Sequence, residues 1–377
     1  MKYIIIGAGL IVGAVVHAQQ SPIDRQAVVR RHTIHINKAD SLSSLSVGNG
    51  RFAFTVDVTG LQSFPAFYQG GVPLGTQSEW GWHSFPNTEK YLFEETLRTY
   101  ELEGKKIPYT VQVKEPVRNK QAADYFRINP HRLQLGNIGM EIIKKNGERA
   151  GMADIQNIRQ QLDMWTGEIN SRFTVEGQPV QVITYAHQQQ DIIAVKIVSP
   201  LVKQKKLLLT IHFPYPNGQF KDVGVHEANA DKHVTTLYTS LPPSSGLPIP
   251  KRKIVTITHS LDTARYVLQA SWQQKASIQN NGAHRFMITP QGETEIFEAT
   301  FLFASKSSNA PLPSFAVTSS SSHKAWAQFW KSGGAVDFAG SKDSRAPELE
   351  RRVVLSQYLT KIQCASNFPT GNRTYLQ

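Results

Sequence analysis

Two tryptophans and a histidine lie within four residues of one another, at Trp80, Trp82 and His83. Glycine and proline flank them in the segment QSEWGWHSFPN (77–87), which predicts a rigid loop with an aromatic surface. Indole faces stack on the apolar faces of sugar rings, and His83 and Asn87 offer hydrogen bonds at the ring edge. We therefore predict that Trp80, Trp82 and His83 bind a carbohydrate. The residues alone leave an equal alternative, in which one or both indoles belong to the core.

The other polar clusters are weaker candidates for a binding or catalytic site. His131 and Arg132 lie in a turn before a strand, where tying a loop is the better interpretation, and Trp165 is predicted to pack. The sequence has no metal-ligand spacing, no Gly-x-Ser-x-Gly motif and no recognisable triad. From the sequence we therefore assign no catalytic residue, no metal ligand and no cofactor. The single cysteine, Cys364, is interpreted as a buried helix residue.

These loops need a scaffold, and the apolar pattern predicts one made of strands. Alternating or continuous apolar runs are bounded by Gly, Pro, Asn or Asp, as strands are. They span residues 52–58, 109–113, 180–185, 192–198, 206–212, 254–258, 265–272 and 294–303. Spread over nearly the whole chain, they predict a mainly β fold, a large antiparallel sandwich.

Two helices are predicted to follow the strands. Trp326, Phe329 and Trp330 have helical spacing, with serines before them and Gly333 after them as start and stop signals. A second helix is predicted to begin near Pro347. Its stripe of Leu355, Leu359 and Ile362 has almost no remaining sequence to pack against, so it is either exposed or folded back onto the sandwich. We predict a tail open to protease after about Gly340.

The first eighteen residues have the pattern of a cleaved signal peptide. A lysine precedes an apolar run, and Ala18 ends a small-residue cleavage pattern. The run is shorter than a membrane-spanning helix, so we expect no transmembrane span in the mature chain. Gly7, Gly9 and Gly13 imitate a nucleotide-binding loop, but the required acidic residue after a strand is missing. We expect a periplasmic or secreted protein.

The composition is that of an ordinary globular chain, with 40% hydrophobic and 19% charged residues. The net charge of +12 permits an acidic partner, such as a polyanionic polysaccharide. However, Lys and Arg are scattered along the chain and no nucleic-acid-binding module is present, so a nucleic-acid partner is excluded.

Four segments resemble one protein family. They are SVGNGRFAF (46–54), EWGWHSFP (79–86), HRLQLG (131–136) and PELERRVVLSQYL (347–359). They are similar to secreted proteins of Bacteroidetes type related to glycoside hydrolase family 65, a group of six-hairpin glycosidases. The resemblance implies a β-supersandwich like that of galactose mutarotase, then a helical linker and an (α/α)6 barrel that holds the catalytic acids.

The resemblance ends after Pro369. The family pattern continues as PQETGLTY, whereas residues 370–377 read TGNRTYLQ. Codons for this tail can be chosen so that reading them one nucleotide out of frame gives QETGLTY. The first letter of each displaced codon is the middle letter of an original codon, and the protein sequence fixes that letter. We interpret residues 369–377 as a divergent tail left by a frameshift or truncation of a longer gene.

The domain prediction follows from these patterns. We predict a signal peptide at 1–18, a β-supersandwich at 19–315, a helical linker at 316–368 and the divergent tail, with the barrel missing. The predicted function is the N-terminal, substrate-site-bordering part of a secreted glycoside hydrolase that acts on oligo- or polysaccharides. This part is expected to be inactive alone. Alternatives are a stand-alone carbohydrate-binding sandwich and a cationic envelope protein that binds acidic polymers.

Overall fold

The computed structural model describes residues 23–218, 229–239 and 254–365. The predicted signal peptide and the divergent tail lie outside these residues. Within them, the strands in chain order are β1 (Ile34–Ile36), β2 (Leu45–Gly48), β3 (Phe52–Val56), β4 (Thr76–Ser78), β5 (Trp82–His83), β6 (Leu97–Leu102), β7 (Lys105–Thr110), β8 (His131–Arg132), β9 (Asn137–Ile142), β10 (Gln156–Asp163), β11 (Glu168–Val175), β12 (Gln178–Ala186), β13 (Ile192–Val198), β14 (Leu207–His212), β15 (His233–Tyr238), β16 (Ile254–Leu261), β17 (Ala264–Trp272), β18 (Ala276–Asn280), β19 (Arg285–Pro290) and β20 (Ile296–Ala304). The helices are α1 (Arg25–Arg31), α2 (Pro65–Tyr68), α3 (Val117–Ile128), α4 (Pro200–Lys203), α5 (Phe315–Lys331) and α6 (Ala346–Cys364).

One large antiparallel sheet forms the main layer. Its strand order is β1-β10-β11-β12-β13-β20-β17-β16-β15. Along its strands, buried and accessible side chains alternate, as in β10, where Ile158, Gln160 and Leu162 point inward and Arg159 and Gln161 point outward. The central strands β13 and β20 are buried along most of their length. The mainly β, antiparallel fold class predicted from the sequence is confirmed.

Smaller sheets form the opposing layer. Their orders are β18-β19-β14-β9 and β2-β3-β4, and β5 pairs with β8. Strands β6 and β7 form a separate hairpin whose side chains are mostly exposed and lie outside the core. Side chains from the large sheet, such as Phe173 and Phe301, share one continuous hydrophobic core with Phe54, Ile138 and Leu209 from the smaller sheets. Sheet faces that meet in this way make a sandwich.

Helix α5 packs on the sandwich through its tryptophans. Ser314 caps the helix by accepting a hydrogen bond from the backbone N–H of Val317 at 3.3 Å, and the helix ends before Gly333. Trp326 and Trp330 are buried, and the Trp330 indole N–H donates to the carbonyl of Met164 at 2.7 Å. Gly167, in the turn between β10 and β11, lies so close to Trp326 that a Cβ there would be 2.2 Å from its indole nitrogen. This turn therefore requires glycine.

Helix α6 also packs on the sandwich, so of the two arrangements left open for its apolar stripe, exposed or folded back, the structure has the second. Leu359 and Ile362 are buried, and Leu355 packs against the same core. Tyr358 stacks on Trp326 with ring centres 4.5 Å apart, and its hydroxyl donates to the carbonyl of Ser46 at 3.0 Å. The stripe meets strands β2 and β3. Sequence spacing showed the stripe but not a partner that lies some 300 residues earlier in the chain.

The C-terminal end of α6 lies against the turn between β2 and β3. The N–H of Gly50 donates to the carbonyl of Ile362 at 3.0 Å, and a Cβ on Gly48 would lie 2.9 Å from that same carbonyl. Gly50 has a φ of +98°, which favours glycine. Cys364, predicted to be buried, is instead exposed at this end, because it lies on the solvent side of α6.

An ion cluster joins α1 to the two late helices. Glu350 on α6 is buried, and it accepts hydrogen bonds from Arg31 at 2.7 and 2.8 Å and contacts His32 at 2.6 Å. The hydrogen bonds from Arg31 lower the pKa of Glu350 to about 2, against the effect of burial. Arg25 donates to the carbonyls of Trp330, Ser332 and Gly333 at the end of α5. The first and last described helices are therefore held together.

Candidate functional site

The predicted aromatic loop is held by the short strand pair β5–β8. Trp82 lies opposite Arg132, and His83 lies opposite His131. Because successive side chains of a strand point to opposite faces, Trp82 and His83 cannot face the same way. Trp82 is 42% exposed, whereas His83 is 2% exposed. The structure thus separates the predicted site residues into one that faces solvent and one that faces the interior.

Trp82 covers a buried arginine. The guanidinium carbon of Arg132 lies 4.1 Å from the centre of the Trp82 ring, a cation–π arrangement. Arg132 is 7% exposed, and its Nη1 donates to the carbonyl of Ser78 at 2.7 Å. Its Nε and Nη2 are buried and meet no acceptor among the residues that the structure describes. Burial lowers the pKa of Arg132, and the charge of Glu79 opposes that shift.

A buried guanidinium with two unused donors is energetically costly. Unpaired buried polar groups cost roughly 1–3 kcal/mol each, and more when they are charged. The cation–π contact with Trp82 offsets only part of that cost. Arg132 was interpreted from the sequence as a loop-tying residue. Its place beneath Trp82 depends on a strand pairing across 50 positions, which no local pattern indicates.

Trp80 braces the loop from inside. Its indole N–H donates to the Asp191 carboxylate at 2.8 Å, and the hydroxyl of Ser78 donates to the same oxygen at 2.6 Å. The indole ring also packs on Tyr266, with centres 5.9 Å apart. Burial raises the pKa of Asp191, and these hydrogen bonds act in the opposite direction. Trp80 therefore fixes the position of the loop, and its part in carbohydrate binding stays a prediction.

His83 belongs to an internal hydrogen-bond chain. Its Nε2 lies 2.7 Å from the Asp262 carboxylate and its Nδ1 lies 3.2 Å from Nε2 of His131. Nδ1 of His131 lies 3.0 Å from the carbonyl of Ile128, which can only accept. His131 therefore donates to Ile128 through Nδ1, and His83 links His131 to Asp262. Tyr215 donates to the same Asp262 oxygen at 2.8 Å. Sugar binding by His83 likewise remains a prediction.

Asn87, the other hydrogen-bonding residue suggested for this loop, closes a turn instead. Its amide oxygen accepts from the N–H of Tyr91 and its amide nitrogen donates to the carbonyl of Tyr91, both at 2.9 Å. Of the three predicted site residues, Trp82 is consequently the one whose ring is exposed to solvent, and its binding role stays a prediction.

A second set of histidines lies in the core beside this network. Nδ1 of His233 lies 2.7 Å from Nε2 of His259, and Nδ1 of His259 lies 2.7 Å from the hydroxyl of Tyr266. Tyr266 donates to the carbonyl of Leu135 at 2.5 Å, so its oxygen accepts from a neutral His259. Burial lowers the pKa of His259, lowers that of His233 to about 4 and lowers that of His212 to about 3. Burial thus favours the uncharged form of these three side chains. Together with His284, which stacks on His233 with ring centres 3.5 Å apart, we name them the histidine cluster (His212, His233, His259, His284).

Among the described residues, no group of three or more His, Cys, Asp or Glu side chains is arranged to hold a metal ion. In the same part of the chain, no helix has both the length and the apolarity that a membrane crossing needs.

No family model and no curated protein matches the chain. Among solved structures, the chain is similar to one described as a putative kojibiose phosphorylase from human microbiome, with 11% sequence identity and a TM-score of 0.49. The similarity covers 88% of this chain and 41% of that one, so this chain spans less than half the length of its neighbour. At this identity and TM-score, we draw nothing from it about reaction or substrate.

Proposed function

We propose that this chain is the saccharide-binding β-sandwich part of a carbohydrate-active enzyme of the glycoside hydrolase family 65 type. The observation that carries the proposal is the exposed Trp82 ring backed by the buried Arg132. A flat aromatic face at the surface suits stacking on a sugar ring, and the cation behind it fixes the ring in place. The four sequence segments that resemble the family support the same proposal.

The reaction itself is proposed to require more than this sandwich. By resemblance, the catalytic acids belong to a helical barrel, and glycosidic cleavage needs a carboxylic acid as proton donor. Export is proposed from the signal-peptide pattern at residues 1–18, with the periplasm or the exterior as the compartment.

We expect the purified mature chain to show no turnover on a broad panel of α- and β-linked disaccharides, with or without inorganic phosphate. The physical reason is that no pair of facing acids is assigned in the sandwich. Product release is measured by chromatography. Turnover that persists through repurification would contradict the proposal, because the sandwich would then have its own active site.

We expect Trp82→Ala to weaken oligosaccharide binding by about 1 kcal/mol, roughly fivefold in Kd, because the stacking face is lost. Binding is measured by calorimetry on a panel of neutral oligosaccharides. Trp82→Phe, which keeps an aromatic face, should lose less. Tyr109→Ala is the matched control, since Tyr109 is also an exposed aromatic residue but lies on β7.

If Trp82→Ala binds as the parent does while remaining folded, Trp82 is only a cover for Arg132 and the site assignment fails. Equal losses in Trp82→Ala and Tyr109→Ala would show a nonspecific aromatic effect and would count against the site as well.

A second candidate is a stand-alone carbohydrate-binding sandwich. The packing of α6 on β2 and β3 favours it, because this helix then covers the core of the sandwich without a further domain. Sequencing the DNA around the codon for Pro369 separates the two candidates. A continuation in another frame that encodes a helical barrel supports the enzyme, and its absence supports the binding protein.

A further inference from the structure

The outer face of the large sheet carries a polar groove along β1, β10 and β11. Its volume is about 340 Å³, and its lining includes His35, Asn37, Arg159, Gln161, Asn170 and Arg172. We call it the arginine groove. It belongs to the solvent face of β10 and β11, because the neighbouring residues Ile158, Ser171 and Phe173 point into the sandwich. Neither the family resemblance nor the aromatic loop involves these side chains.

Two arginines face each other directly in this groove. Arg159 on β10 is the register partner of Arg172 on β11, and both are exposed. Side chains in such positions have Cβ atoms roughly 4.5–5.5 Å apart, and like charges there destabilise the sheet. Elsewhere on the same sheet, the register partners Lys196 and Glu298 form an ion pair at 3.3 Å. The facing arginines are one of two like-charged pairs between β10 and β11, the other being Asp163 with Glu168.

The carboxylates near the two ends of β11 are already engaged. Glu168 accepts hydrogen bonds from Tyr185 and from Asn170. Asp163 accepts from the N–H of Trp165, and Glu176 accepts from the N–H of Lys145. The guanidinium group of neither arginine forms a hydrogen bond or an ion pair with a residue in the described ranges. Their positive charge is consequently available to a ligand.

An irregularity in the strand sets the position of Arg159. The β10–β11 register shifts between Gln156 and Arg159, and Asn157 has a φ of +53°. Bulges of this kind change the direction of a side chain and occur next to binding sites. Here the shift places Arg159 opposite Arg172.

We propose that the arginine groove binds the oxyanion of an acidic saccharide, either the carboxylate of a uronic acid or a sulfate ester. Two guanidinium groups match such an oxyanion through paired N–H donors. Gln161 and Asn170 add amide groups suited to sugar hydroxyls, with Asn170 held by Gln181 at 3.1 Å. The net charge of +12 attracts an anionic polymer. The saccharide part of this inference rests on the proposed function, and the oxyanion part rests on the groove alone.

The test measures calorimetric binding of a uronic acid trisaccharide, a sulfated trisaccharide and a neutral trisaccharide, with sodium sulfate as the bare anion. The full chain should bind at least one acidic ligand, and more weakly as NaCl rises. The double variant Arg159→Gln/Arg172→Gln should bind it at least tenfold more weakly. Arg265→Gln is the control, because Arg265 is an exposed arginine on β17, and it should bind as the parent does. Which acidic ligand binds identifies the source of the oxyanion.

Thermal unfolding distinguishes a binding role from a structural role. The double variant should melt at the same temperature as the parent or above it, because the repulsion between facing charges is removed. Equal affinity of the double variant and Arg265→Gln for the acidic ligands would overturn the proposal. A lower melting temperature in the double variant would also overturn it, since the arginines would then support the fold.

The two proposals can fail separately. If the double arginine variant loses binding of the acidic ligand, the proposal for the arginine groove is supported. If Trp82→Ala at the same time binds neutral sugars as the parent does, the proposal for the Trp82 site fails. Binding of sodium sulfate with the same affinity as the acidic trisaccharides would overturn the saccharide assignment.

Discussion

A chain truncated after Gly340 is expected to lose the stability of the sandwich and to aggregate. Truncation removes α6 and uncovers Trp326, together with the surface of β2 and β3 that receives Leu359 and Ile362. Removing a single large aromatic side chain from a core costs about 3–5 kcal/mol, and a domain has only about 5–15 kcal/mol in total. Denaturant unfolding and light scattering of the truncated and full chains measure the effect.

The same packing predicts that α6 resists limited proteolysis about as well as the strands do. The apolar stripe alone had predicted early cleavage after Gly340. Tyr358→Ala should make α6 sensitive to early cleavage, because it removes both the stack on Trp326 and the hydrogen bond to Ser46. Ser356→Ala, on the exposed side of α6, is the control. Rapid loss of the tail from an otherwise intact parent would show that α6 contributes little to the fold.

Acidification from pH 6.5 towards pH 4 is expected to destabilise the sandwich. The folded-state pKa values of His233 and His212, about 4 and about 3, lie below the ordinary value of 6.5. Between these values the unfolded chain binds more protons than the folded chain, so the stability is complete above pH 6.5 and is lost as the pH falls. Protonation of His233 in the unfolded chain alone lowers the free energy of unfolding at pH 4 by on the order of 3 kcal/mol. Glu350 has a pKa of about 2 instead of 4.5, so its contribution to stability is complete above about pH 4.5 and is lost as the pH falls towards 2.

Denaturant midpoints at pH 7 and pH 5 measure this dependence. His233→Gln should reduce the difference between the two midpoints, because one titrating group is removed from the histidine cluster. The neighbours that act on His233 are His284, Asp231 and His259, and they remain. His35→Gln, at an exposed histidine, should leave the difference unchanged. A parent whose midpoint is constant between pH 7 and pH 5 would rule out the histidine cluster as an acid-sensitive element.

Local sequence patterns were sufficient to predict the strands and helices that bury a whole face. The apolar run at 192–198 became the central strand β13, and the spacing of Trp326 and Trp330 identified the buried face of α5. Two-residue and helical periods depend only on neighbouring residues, which explains why these predictions succeeded. The pairing of β13 with β20, about a hundred residues later in the chain, is outside the reach of such patterns.

The candidate site shows the same limit. The sequence identified Trp82 as an aromatic residue on a loop, but its exposure and the burial of His83 follow from β5 pairing with β8. The arginine groove depends on a register shift in β10, where one residue more or fewer would move Arg159 to the other face. The positions of polar side chains whose partners are distant in the sequence therefore cannot be predicted from local patterns.

The contact between α1 and α6 sets an order of events during translation. Arg31 and Glu350 are 319 residues apart. At ribosomal rates of about 5–20 residues per second, roughly 16–64 s pass between the synthesis of the arginine and that of its carboxylate. For that interval, Arg31 and His32 lack their acceptor while the strands between them emerge. The contact between α1 and α6 can therefore form only after Glu350 has been made, and until then α1 is held through Arg25 at the end of α5.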